Sequence, residues 1–108
     1  MIHALKTLPE YFELVISGTK LFEVRKNDRN YREGDLLALN EYDNKTKAYT
    51  GRSCLVYVDY VLKDEKYCKQ GFAIMSIKPC YVEKFACPGW EPREKKHSYE
   101  VPLVTDKD

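Results

Sequence analysis

Three charged residues set close together, Lys20, Glu23 and Arg25, are the first candidates for chemistry in this chain. Glu23 and Arg25 lie two apart in the alternating run Lys20-Leu21-Phe22-Glu23-Val24-Arg25, so a strand places both on one face. An arginine offers planar, paired donors that suit a phosphate or a base edge, and a glutamate accepts from an exocyclic amine. Together they can clamp a nucleotide. The plain alternative is a surface ion pair worth under ~1 kcal/mol. Lys20 opens the same strand. It can neutralise ligand charge or, if burial lowers its pKa, pass a proton; its ordinary role there is to sit at the negative end of the preceding helix. Lys26, Arg29 and Arg32 add cations just downstream, with Asp28 and Glu33 among them. They form either a solvated loop or a basic rim that steers a phosphate-bearing ligand. His3 and Lys6, on a short first strand, can border the same cleft.

Other chemistries have less support. Cys54, Cys68, Cys80 and Cys87 are spaced 14, 12 and 7 residues apart, without the close pairs of a zinc site, and read as reduced thiols. There is no glycine-rich phosphate loop and no nucleophile–histidine–acid motif, so no metal and no cofactor is implied. Tyr42, Tyr49, Tyr57 and Tyr60 can stack on bases, although tyrosines on alternating strands more often cover sheet faces. His97 belongs to a charged tail.

The elements that must position these residues follow from periodicity. Residues 2–6 read as a strand. Thr7-x-x-Glu10 has the form of a capping box, with Pro9 in the first turn. Leu8, Phe12, Val15 and Ile16 recur at helical spacing, and Gly18 stands where a left-handed cap ends a helix. After the strand 20–25 and a polar loop come strands at 36–42, 52–62 and 72–78, with a hairpin connection over 43–51 and a charged loop over 63–71. A chain with this order buries its sheet by curling into a small barrel, the helix covering one opening.

Composition sets the outer bounds. The 108 residues carry 44% hydrophobic and 32% charged side chains, and the charges nearly cancel to a formal +1. That balance argues against a sequence-blind nucleic-acid coater but leaves room for a local basic site. No apolar run approaches the ~18 residues of a membrane span, and the N-terminus lacks the form of a signal peptide, so a cytoplasmic location is the expectation. Residues 1–79 form the expected domain. Residues 80–108 read as an extension that packs partly, through Tyr81, Phe85 and Trp90, and then frays.

The string Gly18-Thr19-Lys20-Leu21-Phe22-Glu23-Val24-Arg25-Lys26-Asn27-Asp28-Arg29, with His3-x-Leu5-Lys6 and Pro9-Glu10-Tyr11-Phe12 before it and Gly34-Asp35 after it, resembles the DUF3850 family. The strand Ala73-Ile74-Met75-Ser76-Ile77 resembles that family's last strand. The family is in turn similar to the ASCH group with its PUA-like fold. This resemblance implies an α+β, mostly β, pseudo-barrel of five to six strands with one or two helices, and a cleft bordered by the Gly-x-Lys-x-x-Glu-x-Arg segment. It also implies an RNA or nucleotide ligand. Some ASCH relatives hydrolyse an acylated cytidine with a lysine at this position and a threonine three residues on. Here Glu23 takes the threonine's place, and a carboxylate is a poor substitute for a hydroxyl nucleophile. The reading is therefore a nucleotide- or RNA-binding module at Lys20, Glu23, Arg25, Lys26 and Arg29, with Lys6 and His3 beside them. The alternatives are a small hydrolase of modified nucleosides or RNA, and a protein-binding accessory factor of a mobile element acting through the tail.

Overall fold

The computed structural model describes residues 1–80. Tyr81, Phe85, Cys87 and Trp90, and with them residues 81–108 of the expected extension, lie outside the described residues. Five strands and one helix run in the order β1 (Ile2–Thr7), α1 (Pro9–Ile16), β2 (Phe22–Lys26), β3 (Leu36–Asp43), β4 (Ala48–Leu62) and β5 (Phe72–Pro79). They form one sheet in the order β1-β3-β4-β5-β2, with β1 parallel to β3 and every other pairing antiparallel. The mostly β expectation holds, as a curled half-barrel with a single short helix among the described residues.

The curl is set by inward-facing side chains. His3, Leu5 and Thr7 of β1 are buried while Ile2 and Lys6 are exposed. Leu37 and Leu39 of β3, Cys54, Val56 and Val58 of β4, and Ala73 and Met75 of β5 continue the same inner face. Phe12, Val15 and Ile16 from α1 close this core from one side. A register shift between Val58 and Tyr60 lets the long β4 bend, so that Val61 rather than Tyr60 turns inward.

Three expectations need correction. The strand expected over 20–25 begins only at Phe22, so Lys20 precedes β2 rather than opening it. Thr7 does not cap the helix. It is the last residue of β1, the N-cap is Leu8, and no side chain caps the helix. The Leu8 carbonyl instead accepts from Tyr11 and Phe12 (3.1 and 2.8 Å), and Pro9 at the start has no N–H to satisfy. The Thr7 hydroxyl is taken by Arg25, as described below. The hairpin connection is also much shorter than 43–51. Tyr42 pairs with Tyr49 and Asp43 with Ala48, because the Asp43 carboxylate accepts the Lys45 N–H (2.9 Å) and Lys47 adopts a left-handed conformation.

The helix end matches its sequence signal. Gly18 has a φ of 78°, and the Gly18, Thr19 and Lys20 amides return to Val15 and Leu14 carbonyls. This left-handed residue turns the chain so that Lys20 enters beside the helix. Gly18→Ala is expected to cost about 1 kcal/mol in chemical denaturation, from the steric penalty of a Cβ at positive φ. An unchanged midpoint would show that the turn tolerates a side chain.

Candidate functional site

Strand β2 is amphipathic in the wrong sense for an edge strand. Its apolar residues Phe22 and Val24 are each 48% exposed, whereas Glu23 is buried. Register explains the placement. Glu23 lies opposite Met75 and Arg25 opposite Ala73, and both partners belong to the inner face of the sheet. Two charged side chains therefore point into the half-barrel. The chain compensates with local pairing. Glu23 accepts from Lys20 Nζ (2.7 Å) on one oxygen and from Arg25 Nε (3.0 Å) on the other. The side-chain exposures of Lys20, Glu23 and Arg25 are 15%, 4% and 23%. One carboxylate is thus shared by two cations, which leaves the cluster with a formal positive charge.

Arg25 also crosses a gap. One terminal nitrogen donates to the Lys6 carbonyl (2.9 Å) and the other to the Thr7 hydroxyl (3.1 Å). Strands β1 and β2 are the two edges of the sheet, and no backbone ladder joins them. The guanidinium therefore straps the seam of the half-barrel. Lys20 donates a second bond to the Phe22 carbonyl (2.6 Å), and its ammonium stands 4.9 Å from the Phe22 ring centre and 6.0 Å from that of Tyr11.

The structure thus brings Lys20, Glu23 and Arg25 together. The other sequence candidates take different places. Lys6 contributes its carbonyl to Arg25, but its side chain stands on the outer face, 4.3 Å from the Tyr42 ring centre. Lys26 and Arg32 are exposed, and Arg29 is partly buried, on the strand end and loop that follow. His3 faces inward at the opposite end of β1, where its ring nitrogen meets the Asp35 carboxylate at 2.8 Å. Burial pushes the Asp35 carboxyl up, but hydrogen bonds from His3, the Arg32 amide and the N-terminal amine outweigh it and hold the group below the ordinary range. His3 is therefore a structural partner of Asp35. It touches Tyr31 edge to face at 4.9 Å, and burial raises that tyrosine's pKa.

A second charged cluster was missed in the sequence. Glu41 on β3 lies beside Thr7 in register and is buried. Arg52 on β4 meets it with a two-pronged contact, Nε and Nη2 at 2.8 and 2.7 Å, and Thr50 adds a hydroxyl at 2.6 Å. Arg52 also bonds Glu13 of α1 and lies 5.0 Å from the Phe12 ring centre. The Arg52 hydrogen bonds hold the Glu41 carboxyl below its ordinary range against the opposing effect of burial. Only strand parity, Leu37, Leu39 and then Glu41, signals this inward carboxylate.

Among the described residues no group of three or more His, Cys, Asp or Glu side chains is placed to hold a metal ion. Cys54 and Cys68 are buried and Cys80 is partly so, all three as thiols. No helix among the described residues is long and apolar enough to cross a membrane.

Comparison with known proteins adds a family without an assigned activity. Residues 2–77 match the family described as a domain of unknown function, DUF3850. A stretch of 51 residues is 47% identical to an uncharacterised 12.9 kDa protein in the GpA 3′ region of Escherichia phage P2, covering 47% of this chain and 45% of the phage protein. The aligned part is thus about half the length of that relative. The matched family residues span β1 through most of β5 and contain the whole Lys20–Glu23–Arg25 cluster, so the chain belongs to the DUF3850 family.

Proposed function

We propose that this domain is a binding module that holds RNA or a nucleotide at the Lys20–Glu23–Arg25 cluster beside α1. The observation that carries the reading is the inverted strand β2, which turns Glu23 and Arg25 inward while leaving Phe22 and Val24 in solvent. Burying charge is unfavourable, and a paired cluster is at best near neutral compared with apolar packing. Folding gains little from such an arrangement, which supports a role for the charges in holding a ligand.

The chemistry of the cluster supports an anionic ligand with hydrogen-bonding edges. Its formal charge is positive, and Arg25 has N–H groups beyond the three that bond Glu23, Lys6 and Thr7. Lys26 and Arg29 follow on the same segment and add to the positive field. Lys20 is engaged with both Glu23 and the Phe22 carbonyl, an arrangement suited to holding charge in place rather than to shuttling a proton. The resemblance to the ASCH group, for which RNA binding has been suggested, supports the same reading.

The test is equilibrium binding of short RNA and of mononucleotides at several salt concentrations. Lys20→Gln is expected to weaken binding and, for the single-stranded RNA, to reduce the slope of log K against log salt by about 0.7, the loss of one phosphate contact. Arg25→Lys keeps the charge but removes the planar fork, and is expected to weaken binding as well. Affinities and slopes equal to wild type in both variants, with melting curves showing both folded, would refute the site.

A further inference from the structure

We infer that the ligand is a single strand of nucleic acid several nucleotides long, which crosses the seam between β2 and β1 and stacks bases on aromatic residues at both sides of it. The inference rests on the site proposed above and names the form of its ligand. Its basis is a series of contacts that crosses the seam and passes through the main chain at Lys6. The Phe22 and Tyr11 rings flank the Lys20 ammonium; Lys20 meets Glu23; Glu23 meets Arg25; Arg25 reaches the Lys6 carbonyl; and the Lys6 ammonium stands over Tyr42, which packs edge to face on Tyr49 with ring centres 5.0 Å apart.

The two ends of this series repeat one theme. Each pairs a lysine with aromatic rings on the outer surface of the sheet or helix, and the Arg25 guanidinium, reaching from the inner face to the Lys6 carbonyl and the Thr7 hydroxyl, stands in the seam between the two edge strands. Phe22 and Tyr11 are 48% and 47% exposed, which leaves ring surface open to a ligand. Alternating cations and aromatic faces are what a single strand requires: phosphates lie along the positive charges and unpaired bases stack on the rings. A mononucleotide can occupy one end only. A base-paired duplex hides its base faces inside its own stack, so the rings are of no use to it. The turn between β3 and β4 adds Lys45 and Lys47 beyond Tyr42 and Tyr49, which extends the positive track on that side.

The experiment uses the full chain, a fluorescent eight-nucleotide RNA, the matching DNA single strand, its duplex, and a mononucleotide. The expected result is that an octanucleotide, RNA or DNA, binds at least tenfold more tightly than the mononucleotide and than the duplex. Tyr42→Leu and Lys6→Gln are each expected to weaken the octanucleotide about tenfold and to weaken the mononucleotide less, since both lie across the seam from Lys20. Phe22→Ala is expected to weaken both ligands. A mononucleotide that binds as tightly as the octanucleotide, or Tyr42→Leu and Lys6→Gln variants that bind the octanucleotide like wild type, would overturn the track while leaving the Lys20–Arg25 site intact. Absence of binding by every probe would overturn both.

Discussion

Glu23→Ala is expected to lower the free energy of unfolding by about 2–4 kcal/mol at neutral pH. Removing one member of a buried ion pair leaves the remaining charge uncompensated, typically at a cost of about 3–5 kcal/mol. Two cations lose their shared partner here. Their 15% and 23% exposure allows partial hydration, which places the expectation below the top of that range. The loss should appear as a lower midpoint in urea with little change of slope. A loss under ~0.5 kcal/mol would mean that the cluster behaves as an exposed surface pair. A companion variant separates stability from function. Replacing Lys20, Glu23 and Arg25 together by Met, Leu and Met removes all three charges and fills the space with apolar groups. Such replacements are often neutral or stabilising by about 1–4 kcal/mol. The loss of the Arg25 bonds to Lys6 and Thr7 offsets part of that gain. The triple variant should therefore be more stable than Glu23→Ala and should bind no nucleotide or RNA. A domain that is stable without its charges but inactive is the signature of charges kept for a ligand.

Much of this arrangement was legible in the sequence, for physical reasons that differ by element. Gly18 marked the helix end because few other residues adopt positive φ cheaply. The alternation through β2 correctly set Glu23 and Arg25 on one face. It did not show which face is buried, since an isolated edge strand with charges on one side and Phe22 and Val24 on the other would ordinarily turn the apolar side inward. That choice is made by the pairing with Met75 and Ala73 across β5, a long-range register that local pattern does not carry. The same limit applies to Thr7. Its capping-box spacing was a genuine local signal, overridden by Arg25, which comes 18 residues later in the chain and needs the Thr7 hydroxyl as an acceptor. His3 and Lys6 looked alike as neighbours on β1. Strand parity separates them, sending His3 inward to Asp35 and the Lys6 side chain outward to Tyr42.

Arg52→Ala tests the second cluster and carries a pH signature of its own. Glu41 is 3% exposed, and both of its oxygens meet the Arg52 guanidinium. Truncating Arg52 strands this carboxylate with only the Thr50 hydroxyl, at an expected cost of about 2–4 kcal/mol at pH 7. Arg52→Lys should recover only part of it, because one ammonium cannot reproduce the paired donors. The sign of the pH dependence follows from the depressed pKa of Glu41 in the folded wild type. Its stabilisation is complete above the ordinary carboxylate range and is lost as pH falls through the lower folded value, because the unfolded chain takes up the proton first. Asp35, also depressed, acts in the same direction. In Arg52→Ala the isolated carboxylate should instead have a raised pKa, so acid relieves the strain of burying its charge. Wild type should therefore lose stability steadily below about pH 5, while the gap between it and Arg52→Ala narrows toward pH 3. Urea midpoints from pH 7 to pH 3 provide the measurement. A gap that stays constant over that range would show that Arg52 supports the fold through its packing on Phe12 and its bond to Glu13, and not through the charge on Glu41.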